Sequence, residues 1–207
     1  MKEFWDERFS QEAYVYGEEP NVWYAEQLKN MPVGKKALFP AEGEGRNAVY
    51  AAQLGWEVTA VDISEEGKKK ALQLAQKRSV SIDYQIDSVA NYNFGKDQFD
   101  LIALIFAHFP PSFRSKVHTQ LIHALRPGGS LLLEAFHKEN LPYKLQNPSI
   151  GGPGEESLLY DEALLLEDFK DLPTEYLKKE EVELKEGDFH KGKGMVIRML
   201  AKKSQYQ

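Results

Sequence analysis

The chain contains no cysteine among its 207 residues. Disulfides, zinc–thiolate sites, iron–sulfur clusters and cysteine nucleophiles are therefore excluded, and no other metal-binding motif stands out. A chain without cysteine fits a reducing compartment, so we expect a cytoplasmic protein without a metal centre.

Long apolar segments are also lacking. The charged N-terminus, from Met1 to Glu7, has no apolar run of signal-peptide length, and nowhere do about 18 apolar residues follow one another. We therefore expect neither a secreted protein nor one that spans a membrane.

An excess of positive charge is the third absence. Asp and Glu number 32 against 26 Lys and Arg, and the net charge of −6 has the wrong sign for binding duplex phosphate. The length and a hydrophobic fraction of 42% suit one domain with a single core. We expect one monomeric domain, residues 1–207, that acts on a small molecule and binds neither nucleic acid nor membrane.

Short aliphatic runs alternate with amphipathic stretches along the chain. The alternation predicts an α/β fold, a parallel sheet with helices on both faces. The predicted strands are residues 37–39, 58–61, 82–86, 99–106 and 130–134, and the predicted helices are 46–54, 64–78, 112–125 and 161–169. Two further strands, 176–185 and 195–202, joined by the glycine-rich stretch 187–194, predict a closing hairpin.

Two segments lie outside this alternation. Residues 1–30 are rich in aromatic side chains and are predicted to form a lid over a ligand or a flap packed on the sheet. Residues 136–160 form a long connection after the fifth strand, at the edge where open parallel sheets bind ligands. We expect this connection to line a substrate pocket; the alternative is a floppy surface insertion.

A turn of small and charged residues, Glu42 to Arg46, follows the first predicted strand. Asp62 comes 17 residues after Gly45, at the end of the second strand. This order is typical of a nucleoside site: glycines let the backbone approach the ligand, the helix N-terminus offers N–H groups to a carboxylate, and the acid accepts bonds from ribose hydroxyls. The G-x-G spacing at 43 and 45 suits a methyltransferase better than a nicotinamide oxidoreductase, which remains a weaker alternative.

The segment Gly43 to Tyr50 resembles motif I of the class I S-adenosylmethionine-dependent methyltransferases, in particular the tellurite-resistance-type and thiopurine-type branch. The resemblance covers nearly the whole chain. It includes Tyr16 to Asn21, Val61 to Ser64, Phe99 to Ile102, Leu125 to Gly129, Gly151 to Pro153, and Leu159 with Tyr160. It implies a Rossmann-like fold, a seven-stranded, mostly parallel sheet whose last strand is antiparallel, and S-adenosylmethionine as cofactor.

The resemblance also implies a role for each matching residue. Gly43 and Gly45 would line the methionine half of the cofactor, and Asp62 would hold the ribose hydroxyls. The adenine would lie against Ile63, with Asp87 and Ser88 facing its amine. Arg46 would pair with the cofactor's carboxylate or cover the sheet, and His108 would reach the sulfonium or serve only as a packed residue.

The first half of the motif departs from the family pattern. Phe39, Pro40 and Ala41 stand where the family has an acid, a leucine and a glycine. Phe39 accepts no hydrogen bond, and Ala41 adds only a methyl group if its φ is negative. This change favours, as an alternative, a non-catalytic protein that binds S-adenosylmethionine or acts as a scaffold.

The acceptor side is predicted from the chemistry of a sulfonium. Soft or anionic acceptors need alignment more than a strong base, so we expect a small molecule such as a thiol or a tellurium or selenium oxyanion. The tellurite-resistance-type relatives place a His and a basic residue in the closing hairpin. By that resemblance His190, Lys191 and Tyr16 are the predicted catalytic residues, with His137 as a further candidate; the alternative for the pair is a solvated hairpin tip.

Overall fold

The computed structural model describes residues 1–32 and 35–205, so positions 33, 34, 206 and 207 of the predicted domain lie outside the described residues. Seven strands form one sheet in the order β3-β2-β1-β4-β5-β7-β6. The strands are β1 (Lys36–Pro40), β2 (Glu57–Asp62), β3 (Asp83–Ile86), β4 (Phe99–Ile105), β5 (Leu125–Phe136), β6 (Thr174–Lys185) and β7 (Lys191–Lys202).

Strand directions confirm the predicted topology. Each of the pairs β1–β2, β2–β3, β1–β4 and β4–β5 is parallel, whereas β7 runs antiparallel to both β5 and β6. The carboxyl ends of the parallel strands therefore meet at one edge of the sheet, and β7 begins at that edge. This is the edge at which open α/β sheets bind their ligands.

Helices cover both faces of the sheet, as predicted. The helices are α1 (Lys2–Phe9), α2 (Val22–Lys29), α3 (Arg46–Gln53), α4 (Glu65–Lys77), α5 (Pro111–Ala124), α6 (Leu141–Gln146) and α7 (Glu162–Asp168). Side chains alternate between the faces, so in β1 Leu38 joins the core beneath α5 and α7, while Ala37 and Phe39 join the core beneath α2 and α3. None of the helices in the described ranges is long and apolar enough to cross a membrane.

The long connection after β5 is folded rather than loose. It contains α6 and single 3₁₀ turns at 138–140, 148–150 and 156–158. A bridge between His137 and Tyr160 closes its base. The expectation of a floppy insertion is therefore wrong for this segment.

Two strands begin earlier than the sequence predicts. β5 starts at Leu125 instead of residue 130, because Pro127-Gly128-Gly129 forms a bulge within the strand, with Gly128 at a φ of +79°. β7 starts at Lys191 instead of residue 195, because Gly192 and Gly194 lie within the strand. In both strands the glycines lie inside the strand, although the sequence suggests that they interrupt it.

Candidate active site

The turn after β1 takes left-handed backbone conformations at three positions. Gly43 and Gly45 have φ angles of +63° and +87°, and Ala41 has +55°. The condition of a negative φ, under which Ala41 adds only a methyl group, is not met, and a left-handed conformation costs an L-residue roughly 1–2 kcal/mol. The Ala41 N–H donates to the carbonyl of Val61 at 2.7 Å, which holds the turn against β2.

Glu42 caps the helix that follows the turn. Its Oε1 accepts from the N–H groups of Asn47 and Ala48 at 3.0 and 2.7 Å. Two donors at the start of α3, the N–H groups of Asn47 and Ala48, are therefore satisfied within the chain and are not free for the cofactor's carboxylate. Burial raises the pKa of the Glu42 carboxyl to about 8.

The two glycines of the turn face different neighbours. A Cβ on Gly45 would lie 2.5 Å from the Cβ of Ala71, so this glycine is required where α3 approaches α4. A Cβ on Gly43 would instead lie 3.0 Å from Cζ of Phe9. Gly43 is thus the glycine that faces the N-terminal segment across the ligand edge, whereas Gly45 serves the packing of the two helices.

Asp62 joins the end of β2 to the turn. Its Oδ2 accepts from the Gly43 N–H at 3.0 Å, and its Oδ1 accepts from the Ser64 N–H at 2.9 Å. Burial raises the pKa of this carboxyl. The Asp87 N–H donates to the Asp62 carbonyl at 3.1 Å, so Asp87, with Ser88 after it, lies beside Asp62; Ile63 is half-buried next to it.

Residues 1–16, here called the cover, lie on this edge. Asp6 accepts from the Ser64 hydroxyl at 2.7 Å and from the Glu65 N–H at 2.9 Å, so an acid of α1 caps α4. Phe9, at the end of α1, is buried against Gly43 and Gly67. The cover therefore lies directly on the glycine turn.

Glu44 links the cover to the glycine turn. It accepts from the Val15 N–H at 2.9 Å and pairs with Lys70 of α4 at 2.6 Å. Lys70 also donates to the carbonyl of Ala13 at 2.6 Å. Both charged side chains are buried, with 3% and 7% of their surface exposed, so this ion pair is part of the core.

Arg46 and Glu186 form a second buried ion pair. Arg46 Nη2 lies 2.6 Å from Glu186 Oε2, and the two side chains are 8% and 9% exposed. Glu186 follows β6, and its Oε1 accepts from Asn21 at 2.9 Å. Burial opposes ionisation of Glu186, but Arg46 and His190 outweigh it and bring the pKa of the carboxyl down to about 2.

His190 and Tyr16 come together at the start of β7. The ring centroids of His190 and Tyr16 are 4.5 Å apart, and Phe106 and Phe136 lie 4.3 and 5.2 Å from His190. His190 Nδ1 is 3.3 Å from Glu186 Oε2. His190 is 4% exposed, so it is no solvated hairpin tip. Lys191 does not join this group: its side chain is exposed, and its carbonyl accepts from Asn147.

The two other candidate histidines hold the segment 136–160. His108 donates from Nδ1 to the Leu158 carbonyl at 2.8 Å, and its Nε2 accepts from the Phe136 N–H at 3.2 Å. Burial lowers the pKa of His108 to about 4. His137 accepts from the Glu139 N–H and contacts Glu162 with its other nitrogen. Both nitrogens of each ring are engaged by the protein, so neither ring offers one to a ligand.

The structure adds Arg8 and Glu186 to the candidate site. The Arg8 guanidinium lies 4.8 Å from the Phe189 ring and 3.4 Å from the Tyr16 hydroxyl. Within the described ranges no carboxylate pairs with it. Nothing in the sequence marks Arg8, because α1 is polar on most sides. Glu186 could have been identified from the sequence, since it stands four residues before His190 across a tight turn.

Comparisons with known proteins agree with this geometry. A family model described as a methyltransferase domain matches residues 40–129. An uncharacterized methyltransferase of Schizosaccharomyces pombe is 30% identical over 97 residues, which are 46% of this chain and 67% of the relative. The span matched by the family model contains the turn, Asp62 and β2.

Two solved structures share the fold over almost the whole chain. One, from work on the conversion of a disulfide bond into a thioacetal group during echinomycin biosynthesis, has a TM-score of 0.80 at 15% identity and covers 100% of this chain and 94% of its own. The other is the N-methyltransferase NodS from Bradyrhizobium japonicum in complex with S-adenosylhomocysteine, with a TM-score of 0.71 at 12% identity, covering 98% and 97%. The chain belongs to the methyltransferase family and is an S-adenosylmethionine-dependent enzyme.

Proposed function

We propose that the methyl acceptor is a small molecule with a soft nucleophile, such as a thiol or a tellurium or selenium oxyanion. The observation that carries the proposal is the cluster of rings formed by Tyr16, Phe106, Phe136 and His190, here called the aromatic cluster. It stands at the sheet edge that also holds Gly43 and Asp62. Aromatic faces attract the cationic sulfonium of the cofactor, and a buried site keeps water from the reacting atoms, so a soft acceptor beside these rings needs alignment more than a strong base.

For the cofactor we propose contacts with Gly43, Asp62, Ile63, Asp87 and Ser88. Gly43 has no side chain on the side that faces the cover, and its left-handed φ excludes most other residues. Asp62 receives its hydrogen bonds from backbone N–H groups, which leaves carboxylate lone pairs for ribose hydroxyls. Gly45 acts indirectly, by letting α3 approach α4.

The carboxylate of the methionine half needs a cation or free N–H groups. Glu42 occupies two N–H groups of α3, and Glu186 neutralises Arg46. Arg8 is a half-buried cation without a paired carboxylate in the described part of the chain. We therefore propose Arg8, carried by the cover, as the partner of this carboxylate.

The protein's part in the reaction is alignment and exclusion of water. Bound S-adenosylmethionine supplies an electrophilic methyl group on a sulfonium. Tyr16 and His190 hold the acceptor, and the cover shields the edge from solvent. The matching segments along the chain support a place in the tellurite-resistance-type and thiopurine-type branch.

Calorimetric titration with S-adenosylhomocysteine tests the cofactor site. Gly43→Val and Asp62→Ala are expected to abolish measurable binding. Gly128→Ala, which imposes similar backbone strain (φ +79°) beside Gln205 at the start of β5, serves as the control and is expected to bind like the unmodified protein. Full affinity in Gly43→Val would place the cofactor elsewhere.

Radiolabelled methyl transfer over a panel of thiols, tellurite, selenite, amines and phenols tests the acceptor. We expect product with the sulfur, tellurium or selenium acceptors. Turnover confined to amines or phenols would overturn the acceptor proposal and leave the cofactor site intact.

A further inference from the structure

Glu186 contacts both Arg46 of the glycine turn and His190 of the aromatic cluster. Its Oε2 is shared, at 2.6 Å from Arg46 Nη2 and 3.3 Å from His190 Nδ1. The three residues come from two places in the sequence: Arg46 from the start of α3, and Glu186 and His190 from the two ends of the β6–β7 turn. One carboxylate therefore links the motif I turn to the acceptor side.

The charge of Glu186 decides where the proton of His190 sits. Arg46 keeps this carboxylate ionised, and an ionised carboxylate only accepts hydrogen bonds. His190 Nδ1 must then carry a proton and donate it towards Glu186. The neutral ring consequently has its basic lone pair on Nε2.

The side of His190 that carries Nε2 faces the segment 136–160. A Cβ on Gly151 would lie 3.3 Å from Nε2 and 2.8 Å from the ring carbon Cδ2. Gly151 therefore packs directly against this side of the ring, where no larger residue fits. Within the described ranges no protein group hydrogen bonds to Nε2, whereas both nitrogens of His108 and His137 are engaged.

The charged and titratable groups around His190 shift its pKa in opposite directions. Burial lowers its pKa, Glu186 raises it, and Arg46 and Arg8 lower it again. Tyr16 and His108 are the other titratable side chains that face it. The balance lowers the pKa of His190, so the ring is neutral and able to accept a proton at neutral pH.

We propose that Glu186 is a positioning residue that makes His190 Nε2 the general base for a neutral, protonated acceptor, with a thiol as the favoured class. The acceptor sulfur takes the methyl group, the sulfonium C–S bond breaks with its electron pair left on the cofactor's sulfur, and the acceptor's S–H proton passes to Nε2. The proton on Nε2 then leaves to solvent, while Nδ1 keeps its own proton, hydrogen bonded to Glu186. The proposal rests on the acceptor site proposed above and narrows it from oxyanions to thiols.

The chain provides a matched control for the experiment. Arg114, Asp168 and His118 form a second arginine–acid–histidine group, with both contacts to Asp168 at 2.9 Å. This group lies between α5 and α7, where the His118 ring stacks on Phe169 at 4.5 Å. Asp168→Asn removes the same kind of interaction without changing any contact of His190.

The kinetic experiment compares Glu186→Gln, Glu186→Asp and Asp168→Asn with thiol acceptors of high and low pKa. For Glu186→Gln we expect a loss in kcat of about 10-fold or more with an alkyl thiol. We also expect the acidic limb of the pH profile to move to lower pH, because losing the carboxylate lowers the pKa of His190. A thiol already ionised at the assay pH is expected to lose far less, Glu186→Asp to recover part of the rate, and Asp168→Asn to keep the normal profile. An unchanged profile in Glu186→Gln would overturn the proposal.

Nitrogen-15 NMR of His190 is the second readout and needs no turnover. In the unmodified protein we expect the tautomer protonated at Nδ1, and in Glu186→Gln a mixture of tautomers. A ring protonated at Nε2 in the unmodified protein contradicts the proposal even if thiols are methylated. Absence of turnover with every thiol, alongside the Nδ1 tautomer, counts instead against the proposed acceptor class.

Discussion

The Gly43 N–H donates to Asp62 Oδ2 at 3.0 Å, which fixes the glycine turn after β1 against the acid at the end of β2. Because β1 and β2 pair in parallel, their carboxyl ends meet, and a hydrogen bond links the two parts of a nucleoside site. The site is thus organised by backbone donors and one buried carboxylate.

Ala41→Gly is expected to stabilise the protein. It relieves roughly 1–2 kcal/mol of left-handed strain, offset by about 0.4–1 kcal/mol of extra entropy in the unfolded chain. We expect a net increase of about 0.5–1 kcal/mol in the free energy of unfolding, measured by urea denaturation. Ala48→Gly in α3, the control, is expected to lose about 1 kcal/mol. A similar loss in Ala41→Gly would show that the turn carries no such strain.

Glu42→Gln is expected to change how stability depends on pH. The pKa of Glu42 is 4.5 as a free group and about 8 in the folded protein, so folding favours the neutral form. The stability that the neutral Glu42 carboxyl contributes is fully present below pH 4.5. It is lost as the pH rises to 8, at up to about 1.4 kcal/mol of unfolding free energy per pH unit. Gln stays neutral and keeps the oxygen that caps α3.

Urea denaturation at several pH values between 5 and 9 measures this difference. We expect the advantage of Glu42→Gln over the unmodified protein to grow with pH. Glu57→Gln, at an exposed surface pair with Lys36, controls for the loss of one negative charge. Parallel stability curves for Glu42→Gln and the unmodified protein would mean that Glu42 is ionised in the folded state at neutral pH.

Lys70→Met is expected to loosen the cover. It leaves the buried Glu44 carboxylate without its cation, which costs about 3 kcal/mol or more of stability. Hydrogen exchange at the Val15 amide, which donates to Glu44, is expected to accelerate. The control is Lys77→Met, whose pair with Glu18 is exposed and worth at most about 1 kcal/mol. Equal exchange rates in the two variants would show that the Glu44–Lys70 pair does not hold the cover in place.

A disulfide between positions 6 and 64 is expected to slow cofactor exchange. Asp6 and Ser64 are hydrogen bonded at 2.7 Å, and the native chain has no cysteine to interfere with Asp6→Cys and Ser64→Cys. Since Phe9 contacts Gly43, the cover must open for a ligand to reach the turn. Stopped-flow rates for S-adenosylhomocysteine should fall about 10-fold or more, and a reducing agent should restore them. Each single variant is the control, and unchanged rates in the oxidised form would show another route of entry.

The central strands of the sheet were predictable because they are short aliphatic runs buried on both faces. Leu38 and Phe39 pack into opposite cores, as continuous apolar strands require. The position of Asp62 was equally predictable, since a strand end in a parallel sheet fixes it relative to the turn.

The contacts of individual side chains were not predictable. Arg46 pairs with Glu186, 140 positions away, which neither sequence alternative for Arg46 included. Glu42 and Glu44 stand two residues apart, yet one caps α3 and the other holds the cover. Such pairings depend on how distant segments meet, and no local pattern records them. The left-handed φ of Ala41 is hidden for the same reason, because the turn around it imposes it.

A crystal structure with S-adenosylhomocysteine bound tests the central claim most directly. We predict the ribose hydroxyls on the Asp62 carboxylate, the amino-acid part along Gly43, and the Phe9 ring moved away from its present contact with Gly43. Ligand bound away from this edge, or bound there with the ribose turned from Asp62, would contradict the account.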